Sequence, residues 1–357
     1  MTEHASPSIW RKALPRILIS LLLGGGFVWL LSRGGLPLLP PKEAFARLSA
    51  WTLFEYGLLV TASTVLRTYR WNYLIRPIAP DAKPLRVMGI NMVGFGAIFL
   101  LPLRSGEIVR PYLIARDRQV SFMQAAGTVG AERVIDGLVL TSFTFVALSL
   151  ATPISPLPNS LGNLPLPVAA VPAAVYSALL VFSSAFAVMT AFFFARRTAR
   201  RVTERVLGLV SPRAAKWAAD TLERIADGLS FLPSKTYLLR FIAATLLCWV
   251  LIILSQWVVL RGVGLDATLA QATTTVGVQG LGAVVPAGPG MFGAYQIAGF
   301  SALAMFFPMA QVKLEGAAFI FVSYTGSLII NVVQLLVGYV IMAKVPAATP
   351  PTPASVT

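Results

Sequence analysis

"GFGAIFLLPLRSGEIVRPYLIARDR", residues Gly94 to Arg118, begins as an apolar run, breaks at Pro102 and then sets Arg104, Glu107 and Arg110 within seven residues. Inside a bilayer both features are costly. Proline removes a helix hydrogen bond, and a charge at the membrane centre costs roughly 2.5–3.5 kcal/mol even on a lenient insertion scale. Yet the chain around this stretch is plainly apolar. Only 12 % of its residues are charged, about half the share found in soluble domains. Val168 to Ala195 holds no ionisable residue except Tyr176, and Ile17 to Leu31 and Tyr237 to Leu260 are nearly as clean. Runs of roughly 20 such residues match the hydrocarbon thickness of a membrane. The chain therefore reads as an all-α polytopic membrane protein.

Working outward from the quoted stretch, six full spans are predicted at about 15–32, 51–74, 121–150, 168–195, 237–260 and 317–343. Arg11, Lys12 and Arg16 before the first span resemble a secretory signal, but "SRGGLPLLPP" (32–41) offers no small-x-small cleavage site, so the span is expected to be retained. Two more apolar stretches, about 87–115 and 269–308, are interrupted by Pro and Gly. Orientation follows from loop Lys and Arg. Arg67, Arg70, Arg76, Lys83 and Arg86 precede the first interrupted stretch and Arg116 and Arg118 follow it, so both its ends are predicted cytoplasmic. The uncharged "TPISPLPNSLGNLPLP" (152–167) reads as external. Both termini are then cytoplasmic, and the first interrupted stretch enters and leaves from that side while the second does so from outside. Arg196, Arg197, Arg200, Arg201, Arg205, Arg213 and Lys216, interleaved with Val202, Val206, Leu209 and Val210, make 196–236 a basic cytoplasmic connector with an interfacial helix. Residues 1–14 and 346–357 read as tails flanking one transmembrane domain, 15–345.

The second interrupted stretch repeats the first. Gly94-x-Gly96 matches Gly280-x-Gly282, Pro102-xxx-Gly106 matches Pro286-xxx-Gly290, and Tyr112 matches Tyr295. Upstream, "RWNYL" (70–74) echoes "QWVVL" (256–260). Loop charge separately gives the two halves, about 51–150 and 237–343, opposite orientations. Six full spans with two re-entrant or broken helical hairpins, arranged as an inverted repeat, form the signature of many secondary transporters. Because irregular backbone at membrane depth must be buried or line a cavity, Pro102 and Pro286 are expected to face each other near the midplane.

If the helix resumes directly after Pro102, Arg104, Glu107 and Arg110 share one face. "ERVID" adds Glu132, Arg133 and Asp136 early in the next span, and the three cations and three anions sum to zero. Two readings stand. The six groups form an ion-pair network that holds the hairpin, or their guanidinium forks host phosphate oxygens beside a helix N-terminus. Arg67 and Arg70 would form the entrance. Gly288, Pro289, Gly290 and Tyr295 of the uncharged "VVPAGPGMFGAYQ" (284–296) would complete a cradle of exposed backbone N–H groups.

A single Cys (Cys248) and a single His (His4) exclude a disulfide framework, a Cys/His zinc site and a Cys/His dyad. No metal or cofactor is expected, and without a P-loop neither is direct ATP hydrolysis. The excess of 29 Lys and Arg over 14 Asp and Glu is assigned to positive-inside loops and anionic lipid, not to nucleic acid.

With "RTYRWNYLI" (67–75), "LPLRSGEIVRPYLI" (101–114), "GAERVIDGL" (130–138) and "VVPAGPGMFGAYQ" in hand, the chain resembles the flippase-like transmembrane domain of lysylphosphatidylglycerol synthases over roughly 15–343. The resemblance implies movement of a polar-headed lipid between leaflets. It also implies a stand-alone member, since "VPAATPPTPASVT" after Lys344 holds no aminoacyl-transferase domain. The expected function is a flippase, not an enzyme, for a phosphate-bearing phospholipid or polyprenyl-linked lipid in the cell (inner) membrane, with anionic membrane lipids as partners and a homo-oligomer left open. Two alternatives stay open: an integral membrane enzyme using Glu132 and Asp136, and an accessory subunit of lipid-glycan or hopanoid synthesis.

Overall fold

The computed structural model describes residues 9–101, 106–117, 120–208, 211–285 and 287–347. Pro102, Arg104 and Pro286 lie outside these residues, as do His4, Arg118 and the tail from 348. With them goes the expectation that the two proline breaks face each other. The described chain is helical and forms no strand: α1 (Ile9–Arg33), α2 (Ala50–Arg70) prolonged by the short α3 (Asn72–Ile75), α4 (Pro84–Leu100), α5 (Val109–Arg116), α6 (Phe122–Leu150), α7 (Ala170–Phe194), α8 (Arg196–Gly208), α9 (Pro212–Asp227), α10 (Lys235–Gly262), α11 (Leu269–Gly282) and α12 (Ala294–Leu303). A last helix begins as α13 (Met309–Gln311), widens into a π turn at Val312–Gly316 and runs on as α14 (Ala317–Lys344). Starts are written locally. Ser49 caps α2 by accepting from the Thr52 N–H at 3.1 Å, Pro84 opens α4, and reciprocal capping boxes, Ser121 with Gln124 and Thr268 with Gln271, begin α6 and α11.

Among the described residues, four helices are long and apolar enough to cross a membrane: Phe122–Leu150, Ala170–Phe194, Lys235–Gly262 and Met309–Lys344. They coincide with four of the expected spans, and α1 and α2 occupy the other two. α2 is the less apolar because it turns Ser63, Thr64, Thr68 and Arg70 inward, all of them buried. It crosses α10 antiparallel at its middle, where Ser63 Oγ donates to the Cys248 carbonyl at 3.1 Å and Cys248 lies buried.

Both interrupted stretches fold as antiparallel helix pairs. In the first, a Cβ on Gly94 would overlap the Arg110 side chain, and one on Gly106 would overlap the backbone of Ala97 and Ile98. In the second, Gly282 admits Ala294 and Ala298. The other glycine of each Gly-x-Gly faces the opposite half, Gly96 against Leu335 of α14 and Gly280 against Leu140 of α6. The two motifs thus do the same two jobs in exchanged order. Around this frame α4 packs on α14, α11 on α6, α5 on α6 and α12 on α14.

The predicted single interfacial helix is in fact a pair. α8 and α9 run antiparallel, tied by Arg200 of α8 to Asp220 and Glu223 of α9, with Glu204 of α8 pairing the same guanidinium. α9 presses on the start of α6, where Gly127 leaves room for the Ile225 carbonyl. At that same end Arg86 forks onto Asp117 at 2.9 and 3.0 Å and donates to the carbonyls of Met342, in the last turn of α14, and of Val345 just beyond it. The uncharged 152–167 segment lies at the far end, its Asn163 N–H donating to the Gly34 carbonyl and Ile154 N–H to that of Met305. Apolar packing is divided accordingly. One buried cluster, including Trp71, Ile135 and Phe241, sits at the basic end, and another, including Leu31, Val259 and Phe300, sits at the uncharged end.

Gly94→Val tests the hairpin. Forcing a branched side chain against Arg110 is expected to cost about 1–3 kcal/mol or more and to lower the melting temperature in detergent. Gly130→Ala, where no atom lies within 4 Å of the new Cβ, should leave it unchanged or slightly raised.

Candidate functional site

Two carboxylates on one face of α6 organise the interior. Asp136 receives Arg70 end-on through both oxygens, at 2.7 and 2.6 Å. Glu132 is fully buried and shared: Arg70 reaches Oε1 at 3.1 Å, and Arg110 reaches Oε2 at 2.8 Å. Thr245 of α10 accepts from Arg70 at 2.5 Å, and Asn91 of α4 accepts from Arg110 at 2.8 Å. Arg70 and Arg110 are 1 % and 0 % exposed. Five helices, α2, α4, α5, α6 and α10, are thus pinned at one buried point. Guanidinium suits this because one planar fork meets two carboxylates while staying charged.

Arg70 was expected at an entrance; its side chain is instead sealed within the bundle. Of the expected face of Arg104, Glu107 and Arg110, Arg104 lies outside the described residues, Arg110 is buried against Glu132, and Glu107, in a 3-10 turn at 106–108 that precedes α5, lines a cavity with Asp136 and Arg133. Asp136 is paired not by Arg133 of its own helix but by Arg70, which arrives from α2.

Arg67 and Arg133 are the cations left over. Arg67 forms no ion pair among the described residues; its guanidinium lies 4.2 Å from the ring centre of Phe95. Arg133 stands 3.7 Å from Glu132, an ion pair too long for a hydrogen bond, and 5.3 Å from the same ring. Arg110 approaches that ring too, at 4.6 Å. Aromatic faces attract cations, so Phe95 holds three guanidinium groups close without neutralising any. The Nε of Arg67 and the Nε and Nη2 of Arg133 are buried without a hydrogen-bond acceptor.

Both leftover arginines line an inner cavity of about 240 Å³ between the two halves. Its other walls come from Gln256, Gln279, Tyr295, Tyr324 and Asn331. A larger outer cavity of about 800 Å³ adjoins it, sharing Arg133, Trp249 and Met291, and adds Glu107, Asp136, Phe182 and Val284. Ile108 and Val284, both 59 % exposed, stand on its rim.

The uncharged hairpin contributes less backbone than expected. Gly290 lines the inner cavity at φ 68°, a left-handed conformation that suits glycine, and touches Phe99 near the first break. Tyr295 also lines it. Gly288 instead packs on Gly24 of α1, its N–H donating to the Phe292 carbonyl at 3.1 Å. Pro289 is exposed and its carbonyl accepts from Phe292. The Gly293 N–H is taken by Gln296 at 2.6 Å. These N–H groups therefore close the turn on itself and form no free cradle.

Sequence reasoning missed Phe95, Asn91, Gln256, Gln279 and Asn331. Lone amides in otherwise apolar helices were the available signal, since each must find a polar partner or a cavity. Phe95 carried no signal at all, being one aromatic among many.

A helical membrane protein in which two arginines line a cavity beside a buried ion-pair network is the class these features define. The chain belongs to the family described as the lysylphosphatidylglycerol synthase TM region, whose model matches residues 17–338. No curated protein and no solved structure matches it.

The network itself is testable by stability. Glu132→Gln leaves buried guanidinium charge uncompensated and is expected to cost about 3–5 kcal/mol, read as a lowered melting temperature in detergent. The double variant Arg70→Met/Asp136→Leu should cost less than either single change.

Proposed function

We propose that the protein is a lipid flippase, not an enzyme, which moves a phosphate-bearing head group between the leaflets of the cell membrane through the inner cavity. The observation that carries this reading is the pair Arg67 and Arg133. Neither donates a hydrogen bond to a carboxylate among the described residues, both line the cavity, and each carries buried N–H without an acceptor. Phosphate oxygens are the natural acceptors for such donors. The outer cavity, with its apolar rim, would admit the lipid sideways while its acyl chains stay in the bilayer. Membership of a family named for a lipid synthase's membrane region supports a lipid-related role.

The proposal includes the topology. Six spans and two re-entrant hairpins form an inverted repeat, α2 to α6 against α10 to α14, with both termini cytoplasmic. Packing supports it, because exchanging the halves turns the α4–α14 contact into α11–α6 and the α5–α6 contact into α12–α14. The shared basic end of α8, α9, Arg86 and the start of α6 supports the orientation. In this reading the Glu132 and Asp136 network fixes the site's shape, and Arg67 and Arg133 contact the lipid.

In proteoliposomes the wild-type protein is expected to accelerate transbilayer transfer of a fluorescent anionic phospholipid. Arg67→Ala and Arg133→Ala should slow it at least tenfold while retaining the wild-type melting temperature; exposed Arg213→Ala should leave the rate unchanged. Chemical alteration of the lipid would identify an enzyme instead, and absence of transfer across a lipid panel would favour an accessory subunit. In a Cys248→Ala background, a cysteine at Ser155 should label from outside and one at Ser211 from the cytoplasm; the reverse pattern inverts the topology.

A further inference from the structure

Ala195 alone separates the last residue of α7, Phe194, from the first of α8, Arg196. α7 is long and apolar enough to cross a membrane, so α8 starts where that crossing ends. α9 returns to the same point, since its last residue, Asp227, pairs with Arg196 at 3.6 Å. At about 1.5 Å per helical residue, every side chain of the pair is rooted within roughly 25 Å of the end of α7.

Charge on this pair is unequally matched. All its carboxylates, Glu204, Asp220, Glu223 and Asp227, are taken by two arginines, Arg196 and Arg200. Arg197, Arg201 and Arg205 recur at i, i+4 and i+8 along one face of α8, and Arg213 and Lys216 lie in the first turns of α9. These five are exposed and form no ion pair among the described residues. Arg224, also exposed, donates to the Asp220 carbonyl at 3.3 Å. Among the cations stand Val202, 54 % exposed, and Trp217, 68 % exposed. Trp217 follows Arg213 by four residues and shares its face. An indole set among cations is the side-chain pattern of a membrane–water boundary. Nucleic acid or an acidic protein would also satisfy the charge, but the anionic surface that the tether to α7 keeps at this range is a lipid leaflet.

We propose that α8 and α9 dock on anionic lipid of the adjoining leaflet through Arg197, Arg201, Arg205, Arg213, Lys216 and Trp217. None of the six lines either cavity of the transport reading. Docking bears on the interior because α9 presses on α6: the Ile225 carbonyl fills the space beside Gly127, and Gly228 lies against the Gln124 carbonyl. Anchoring the pair thus steadies the start of the helix that carries Glu132 and Asp136.

The test sets the full chain in nanodiscs, where both leaflets are open to solvent and transport plays no part. In a Cys248→Ala background, Trp217→Cys carries a polarity-sensitive fluorophore in place of the indole. Emission is expected to move to the blue as phosphatidylglycerol replaces phosphatidylcholine, and to return at half-molar salt, which screens exposed charge. Gln at all five unpaired cations should abolish the shift. The unsubstituted protein, which needs no variant to fold, should melt at a higher temperature in phosphatidylglycerol than in phosphatidylcholine, with the gap closing at half-molar salt. Emission indifferent to phosphatidylglycerol overturns the proposal, as does a blue shift equal in both lipids, which would mean apolar burial without recognition of charge. A melting temperature equal in both lipids overturns the link to α6. A shift caused by soluble polyglutamate, and not by phosphatidylglycerol, would reassign the surface to an acidic protein and overturn lipid docking.

Discussion

Glu132 is the group on which the interior depends. It lies wholly inside the bundle and receives guanidinium groups from two other helices, while Arg133, its chain neighbour, stays just beyond hydrogen-bond reach. A carboxylate there is tolerable only because it is paired and hydrogen-bonded. Its pairing in turn draws α2 and α5 onto α6. With Asp136 it balances Arg70 and Arg110, and this leaves Arg67 and Arg133 in excess. The cavity's positive character is thus a remainder. It follows from four arginines meeting two acids, and from Phe95 being able to hold cations without cancelling them.

The uncharged hairpin obeys a related constraint. Expected free N–H groups around Gly288 and Gly293 are absent because a turn away from water satisfies its own backbone. Side chains do the work facing the cavity instead. That division makes the cationic half and the neutral half chemically distinct although their helices pack in matching pairs.

Much of this was legible in the chain. The uncharged run from Val168 to Ala195 announced α7, and the interruptions at 87–115 and 269–308 announced two hairpins. Glu132 and Asp136, four apart, were readable as one helical face. Their cation was not readable, since Arg70 lies more than 60 residues upstream and only tertiary packing delivers it. Arg110 was legible as a charge in apolar surroundings, but not its two partners, Glu132 and Asn91, which other helices bring to it. Arg67 and Arg133 were visible as charges in apolar surroundings. That Arg67 forms no ion pair among the described residues, and Arg133 only a long one, depends on a pairing count that spacing alone does not contain.

One consequence follows from how the apolar packing is shared out. The large buried clusters, one with Phe241 and one with Phe300, occupy opposite ends, and between them only Leu140, Ile253 and Val276 form a small third. Apolar packing among the described residues is thus weakest between the ends. If the protein's ends part in turn, the balance between the two shapes is governed by the difference in cohesion of the end clusters, and the arginines between them take no side. On the proposed transport reading, substitutions far from any charge, buried at one end alone, would then bias which leaflet the resting protein faces.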